Sequence, residues 1–228
     1  MDQNENPSPL NQLPWIVWAL ALPIIAMELV FGLANIGLIG GPFGSDWRMD
    51  ALRRFAFSPD LMRAMWQAGQ FPLSEVIRAL TYFSVHASLT HAVFAVVILL
   101  ALSKVVAEAF APWAVVAIFI GSGAGGALVF SLIPNIHSLL IGAYPSVYGM
   151  IGAYTFLLWV NLAAVGAKKS NAFSMIGMLL GIQLLFAAVF GGSMDWVAEL
   201  SGFIIGVFMA FAFSPLRWSD LFNQFKKR

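Results

Sequence analysis

The chain has 228 residues, of which 60% are hydrophobic and only 10% are charged, and its mean hydropathy is +0.84. A soluble domain of this length carries far more charge, so the composition indicates an integral membrane protein. The net charge of +1 gives no basis for nucleic-acid binding. Cysteine is absent, which excludes disulfides, thiolate metal sites and cysteine nucleophiles.

The chain begins with a polar tail, residues 1–13, that contains no Lys or Arg. A cleavable signal peptide starts with a basic region, so we expect the first apolar run to be retained. A membrane span takes about 20 apolar residues, and six runs meet or approach that length. The predicted spans are 15–39, 80–102, 113–133, 144–165, 173–190 and 196–213. The sequence therefore predicts an all-α polytopic membrane protein, with a six-helix bundle over 14–214 and a basic tail over 215–228.

A long connection, residues 41–79, separates the first two predicted spans, and its apolar positions suggest short amphipathic helices at the membrane interface. Its five arginines are Arg48, Arg53, Arg54, Arg63 and Arg78. The other basic residues follow the second, fourth and sixth spans: Lys104, Lys168, Lys169, Arg217, Lys226, Lys227 and Arg228. Because the third and fifth loops have none, this asymmetry places both termini in the cytoplasm, most simply at the cell's inner membrane. The arginines of the first loop oppose that orientation.

Ionisable side chains are expensive in hydrocarbon, so each one in a span marks a candidate site. Glu28 lies in the middle of the first span, and we expect it to pair with a hydroxyl or backbone group, or to stay protonated. His86 and His91 lie at the start of the second span and would be about 140° apart around a helix. That spacing differs from an i,i+4 metal pair and favours two hydrogen-bonded histidines at the interface.

In the last span, Glu199 shares one helix face with Gly202 and Gly206. The two glycines permit close contact with a neighbouring helix, which would carry Glu199 inward. The alternative is a partly solvated glutamate at the interface. Asp195, near the start of the same helix, is a candidate helix cap.

A polar turn leads into the fourth span through residues 142–154, where small residues recur at Gly149, Gly152 and Ala153. Together with the second and sixth spans, this stretch resembles the rhomboid family of intramembrane serine proteases, over about residues 75–213. The matching residues are Arg78, Thr81, His86 and His91, then Gly142, Ala143, Tyr148 and Gly149, and finally Ala198, Gly202 and Gly206. Ile77 stands where the family usually has a tryptophan.

The departures from the family pattern fall on the positions that carry its chemistry. The resemblance puts Tyr144 at the position of the nucleophilic serine and Glu199 at that of the general-base histidine. It puts Ala95 at the position of the asparagine that helps to hold the oxyanion. Pro145 replaces the glycine next to the nucleophile.

Of the family's polar site residues, His86 and His91 remain. Ser146, two residues beyond the nucleophile position, is the fallback nucleophile. A catalytic serine needs an adjacent base, yet no histidine follows His137 and every lysine lies in a loop or tail. Ser146 could still be activated in two ways: His91 could approach it, or Glu199 could act as the base.

His91, Tyr144 and Glu199 are also expected to form a buried hydrogen-bonded cluster in which the tyrosine donates to the glutamate. Two firm ligands make a weak case for a metal, and we expect neither a metal nor a cofactor.

The resemblance therefore implies a rhomboid pseudoprotease, which binds transmembrane segments of other membrane proteins within the lipid bilayer and influences their folding, trafficking or degradation. The alternative is an active intramembrane serine endopeptidase that uses Ser146. A small transporter, built on Glu28, His91 and Glu199, ranks last because the sequence lacks the paired broken helices of transporters.

Overall fold

A computed structural model describes residues 12–190 and 193–214. Its α-helices in chain order are α1 (Trp15–Asn35), α2 (Trp47–Phe55), α3 (Pro59–Ala68), α4 (Leu73–Val76), α5 (Arg78–Thr81), α6 (Leu89–Ala109), α7 (Pro112–Leu132), α8 (Tyr144–Ala164), α9 (Ser174–Phe190) and α10 (Trp196–Phe213). Five of them, namely α1, α6, α7, α8 and α10, are long and apolar enough to cross a membrane.

The predicted span 173–190 forms α9, which at 17 residues is shorter than these five helices. The count of six spans therefore stays a prediction. Of the two predicted tails, residues 1–11 and 215–228 lie outside the described part of the chain.

The second predicted span, 80–102, is wrong at both ends, because the long helix runs from Leu89 to Ala109. Ser88 has an extended backbone, and its hydroxyl accepts the backbone N–H of His91 at 3.2 Å, so it caps the helix. Residues 78–84 form α5 and a 3₁₀ turn instead, and the segment before Ser88 is held by bonds to other parts of the chain. Hydropathy alone could not separate that segment from the helix.

The first predicted span also ends earlier than expected, at Asn35 rather than at residue 39. Gly37 and Gly40 adopt positive φ angles of 76° and 79°, which glycine reaches without strain. These turns end the helix although the sequence remains apolar.

Helix α8 is the centre of the bundle. Its residues 145–153 are all buried, as in a helix surrounded by others. Close approach by α10 explains this burial: a Cβ on Gly202 would overlap the carbonyl oxygen of Pro145, and one on Gly206 would overlap that of Gly149. The small residues therefore bring the two backbones into direct contact.

Helix α7 packs against α8 through two reciprocal pairs. Ser146 of α8 fills the space beside Gly123 of α7, and Ser122 of α7 fills the space beside Gly149 of α8. Each hydroxymethyl group occupies room that the glycine leaves. The beginning of α8 is thus fixed between α7 and α10.

The segment between α1 and α6 is fastened to the bundle by arginines that donate to backbone carbonyls. Arg63 donates to the carbonyl oxygens of Ser131, Ile133 and Ile136, at 3.1, 3.2 and 2.6 Å, where α7 ends. The orphan carbonyls of a helix C-terminus are thereby satisfied. This segment also makes an antiparallel bridge, at Phe57, to the loop that leads into α8.

Candidate functional site

The loop before α8 is positioned by His86. The Nε2 atom of His86 accepts the backbone N–H of Ala143 at 3.1 Å, and the backbone N–H of Gly142 donates to the carbonyl oxygen of Tyr82 at 3.1 Å. Gly142 has a φ of +85°, and a Cβ there would press against both His86 and His91. The glycine is therefore required both by the turn and by the two imidazole rings beside it.

His86 is fully buried and electrically neutral. Burial, with smaller electrostatic contributions from His91 and Arg48, lowers the pKa of His86 to about 3. A neutral imidazole can accept a hydrogen bond at Nε2 when its proton is on Nδ1. Neutrality is thus a condition for holding the loop that begins α8.

His91 and Tyr144 form a stacked pair. Their ring centroids are 4.8 Å apart with an interplanar angle of 14°, and the hydroxyl of Tyr144 donates to the carbonyl oxygen of His91 at 3.3 Å. The His86 ring meets His91 edge-on, with centroids 5.2 Å apart. The 140° separation expected from helical spacing is wrong, because His86 precedes the helix that His91 belongs to.

Glu199 is 6% exposed, and its carboxylate accepts the side-chain amide N–H of Gln183 at 2.6 Å. The carbonyl oxygen of the same amide accepts the hydroxyl of Tyr148 at 3.4 Å. The expected bond from Tyr144 to Glu199 is wrong, since Tyr144 donates to His91 instead. The polar cluster therefore includes α9, through Gln183, and ties it to α8 and α10.

Asp195 occupies the N-cap position of α10 but makes no capping hydrogen bond. Its backbone is already helical, with φ −59° and ψ −26°, so the side chain is not placed to accept from the first turn. Burial raises the pKa of Asp195, while a hydrogen bond from Ser193 and the charge of His91 act in the opposite direction. The predicted capping role is therefore wrong.

Ser146 points away from the His91–Tyr144 pair. Residues two positions apart in an α-helix are separated by about 200° around its axis. Ser146 and Tyr144 therefore face nearly opposite sides of α8. Ser146 is fully buried against Gly123, and its hydroxyl makes no hydrogen bond within the described residues. Neither His91 nor Glu199 is bonded to it there.

Glu28 makes a bidentate ion pair with Arg48, in which two guanidinium nitrogens each lie 2.8 Å from a carboxylate oxygen. The expectation of a hydroxyl or backbone partner is therefore wrong. Arg48 also donates to the carbonyl oxygen of His86 at 2.9 Å and stacks over Phe31. The ion pair thus supports the residue that holds the loop before α8.

Ala95 is completely buried one turn after His91 on the same face of α6. Its methyl group has no hydrogen-bond donor to offer an oxyanion. Within residues 12–190 and 193–214, no three His, Asp or Glu side chains are grouped so that they could hold a metal ion.

The family model for the rhomboid domain matches residues 73–216, which is more than half of the chain. The chain belongs to the rhomboid family. A comparison with the curated proteins found no match. The rhomboid match covers α4 to α10 and therefore every part of the site described above except the pair Glu28–Arg48.

Two contributors to this site were not singled out by the sequence: Arg48 and Gln183. Gln183 carried a usable signal, because a lone amide in a 17-residue apolar helix needs a partner inside the bundle. Arg48 carried none, since it is one of five arginines in the same loop and only the fold selects it.

Proposed function

We propose that this rhomboid protein is a pseudoprotease, which lacks serine-protease chemistry and binds transmembrane segments of other membrane proteins. The observation that carries the proposal is the state of Glu199, at the position where the family resemblance expects the general base. Its carboxylate is engaged by Gln183 at 2.6 Å and is not bonded to any hydroxyl that could serve as a nucleophile at position 144 or 146.

The orientation of Ser146 supports the same proposal. A serine nucleophile must be hydrogen-bonded to a base and reach a substrate carbonyl. The side chain of Ser146 is enclosed between α7 and α8. Rotating it toward His91 would require turning α8, which is in backbone contact with α10 through Gly202 and Gly206.

The position of α9 favours a client-binding role. Within the described residues, α9 presents large exposed side chains, Met178, Ile182 and Leu185, which are 60%, 48% and 62% exposed. The bond from Gln183 to Glu199 connects this apolar helix to the site. A client transmembrane helix can pack on such a face without any catalytic group.

Orientation is part of the proposal. Lys104, near the end of α6, and Lys168 and Lys169, after α8, favour cytoplasmic termini in the cell's inner membrane. The arginines of the first loop are weaker evidence for the opposite orientation, because Arg48, Arg63 and Arg78 are bonded to groups within the protein. Arginines used in this way contribute to folding rather than to topology.

Photocrosslinking in native membranes tests the client-binding role. A benzophenone amino acid replaces Tyr144 at the site, and the matched control replaces Phe208, an aromatic residue of α10 that is 67% exposed. We expect discrete membrane-protein adducts from position 144 that are absent from position 208. Identical products from both positions would contradict a client site, and Ser146-dependent cleavage of a reporter transmembrane substrate would instead establish a protease.

A further inference from the structure

The five arginines of the first loop divide into two groups by what they touch. Three of them donate to the bundle or to loop carbonyls: Arg48, Arg63 and Arg78. The side chain of Arg53 makes an exposed contact with Asp50, at 3.6 Å. Arg54 makes no hydrogen bond or ion pair within the described residues.

Arg54 lines a cleft of about 530 Å³ between α2 and α1. The cleft is bounded by Phe31, Trp47, Asp50, Ala51, Arg54 and Phe55. Its α2 members recur at three- and four-residue intervals and so share one face of that helix. The volume is within the range of small-molecule sites, about 300–1,000 Å³.

We expect the cleft to lie at the boundary between the hydrocarbon core and the headgroups, because Phe31 is near the end of α1 and the other lining residues are on α2. Helix α1 has 21 residues and is about 30 Å long, which matches the hydrocarbon core of a bilayer. Phe31 is four residues from the end of α1, or about 6 Å below it. Phe43 and Met49, in the chain between the end of α1 and the end of α2, are 72% and 53% exposed, and such apolar side chains suit contact with lipid at the interface.

The charges in the cleft are of both signs. Arg54 and Asp50 are four residues apart on α2, which puts their Cβ atoms on the order of 5–6 Å from each other. Guanidinium groups bind phosphate oxygens through two parallel N–H donors. Asp50 offers an acceptor to an ammonium group, and its competing contact with Arg53 is long and solvent-exposed.

We propose that this cleft binds the zwitterionic headgroup of an ethanolamine phospholipid. Arg54 donates to the phosphodiester, Asp50 accepts from the primary ammonium group, and Trp47 covers the glycerol region at the interface. A headgroup of this kind spaces its ammonium two carbons from the phosphate oxygen, comparable with one helical turn between the two side chains. The site is independent of whether the protein cleaves or binds clients.

Native mass spectrometry of the full chain tests the proposal, in micelles supplied with equal amounts of phosphatidylethanolamine and phosphatidylglycerol. We expect the protein to retain one phosphatidylethanolamine in preference to phosphatidylglycerol. Arg54→Gln should lower the retention about fivefold, the effect of one basic residue near the headgroups. Arg53→Gln removes the same charge from the neighbouring residue outside the cleft and should retain lipid as the unmodified protein does.

Asp50→Asn separates headgroup recognition from general lipid adhesion. This variant should still retain lipid but lose its preference for ethanolamine over glycerol headgroups. Equal losses in Arg53→Gln and Arg54→Gln, or no headgroup preference in the unmodified protein, would overturn the proposal. Displacement of the lipid by millimolar phosphoethanolamine would also overturn it, because the site would then take a soluble phosphate ester.

Discussion

The ion pair between Glu28 and Arg48 predicts a large and asymmetric response to mutation. The carboxylate side chain is 7% exposed and lies seven residues before the end of α1, roughly 10 Å inside the helix. Arg48→Gln leaves this carboxylate buried without a counter-charge. Breaking a buried pair in this way costs about 3–5 kcal/mol in the free energy of unfolding.

Glu28→Gln should cost less, about 1–3 kcal/mol. The arginine side chain is 24% exposed and keeps its bond to the carbonyl oxygen of His86, so water and that carbonyl compensate its charge. Combining Arg48→Gln with Glu28→Gln removes both charges together. The double variant should therefore be more stable than the sum of the two single losses predicts.

Unfolding titrations in mixed micelles measure all three variants on one scale. Arg53→Gln is the matched control, because its contact with Asp50 is 3.6 Å long and both side chains are exposed. It should leave the unfolding midpoint unchanged. The reasoning is refuted if Arg48→Gln costs less than about 1 kcal/mol, or if the losses of the two single variants simply add.

Three further predictions concern packing, the polar cluster and pH. Gly202→Ala should lower the free energy of unfolding by about 1–3 kcal/mol, because the new methyl group overlaps a carbonyl oxygen of α8. The control Gly177→Ala adds a carbon that meets open space and should leave the stability unchanged. Equal unfolding midpoints for the two variants would contradict the predicted overlap. Gln183→Leu leaves the Glu199 carboxylate without its amide donor and should cost about 1–3 kcal/mol in an unfolding titration, so an unchanged midpoint would argue against the bond. The pKa of His86 falls from an ordinary value near 6.5 to about 3 in the folded state, so the unfolded chain binds the extra proton between these values. Stability should therefore fall as pH drops below about 6.5, by up to about 1.4 kcal/mol per pH unit, and less steeply in His86→Gln; parallel pH profiles would contradict this.

The bundle could be predicted from the sequence where long apolar runs coincide with helix signals. Helix α8 starts at Tyr144 as expected, where Pro145 suits the first turn of a helix, and α10 occupies the whole of 196–213. The predicted second span starts too early because residues 80–88 directly precede the long apolar helix but are held by long-range bonds. Only Ser88, a capping residue just before Leu89, indicated the true boundary.

The sequence predicted which residues form the site better than it predicted which hydrogen bonds they make. Sequence reasoning selected His91, Tyr144 and Glu199, and the first two do meet as a stacked pair. It did not find that Gln183, rather than Tyr144, donates to Glu199, because which hydroxyl or amide faces a carboxylate depends on how the helices are rotated. Helix packing determines which residues far apart in the sequence become hydrogen-bond partners.

The partner of Glu28 shows the same limit more sharply. A single carboxylate inside a span must be neutralised, and that requirement follows from its position alone. Which of five arginines performs this role depends on where α2 folds back against α1. The sequence indicates that Glu28 needs a counter-charge, but it does not identify the residue that provides this charge.

The proposed loss of protease chemistry is tested most directly by a fluorophosphonate probe, which reacts covalently with an activated serine hydroxyl. The purified protein and its Ser146→Ala variant are incubated with the probe in micelles, next to an active serine hydrolase as a positive control. Our account predicts no labelling of either form, because the Ser146 hydroxyl is buried against α7 and has no base bonded to it. Labelling of the unmodified protein that disappears in Ser146→Ala would contradict it.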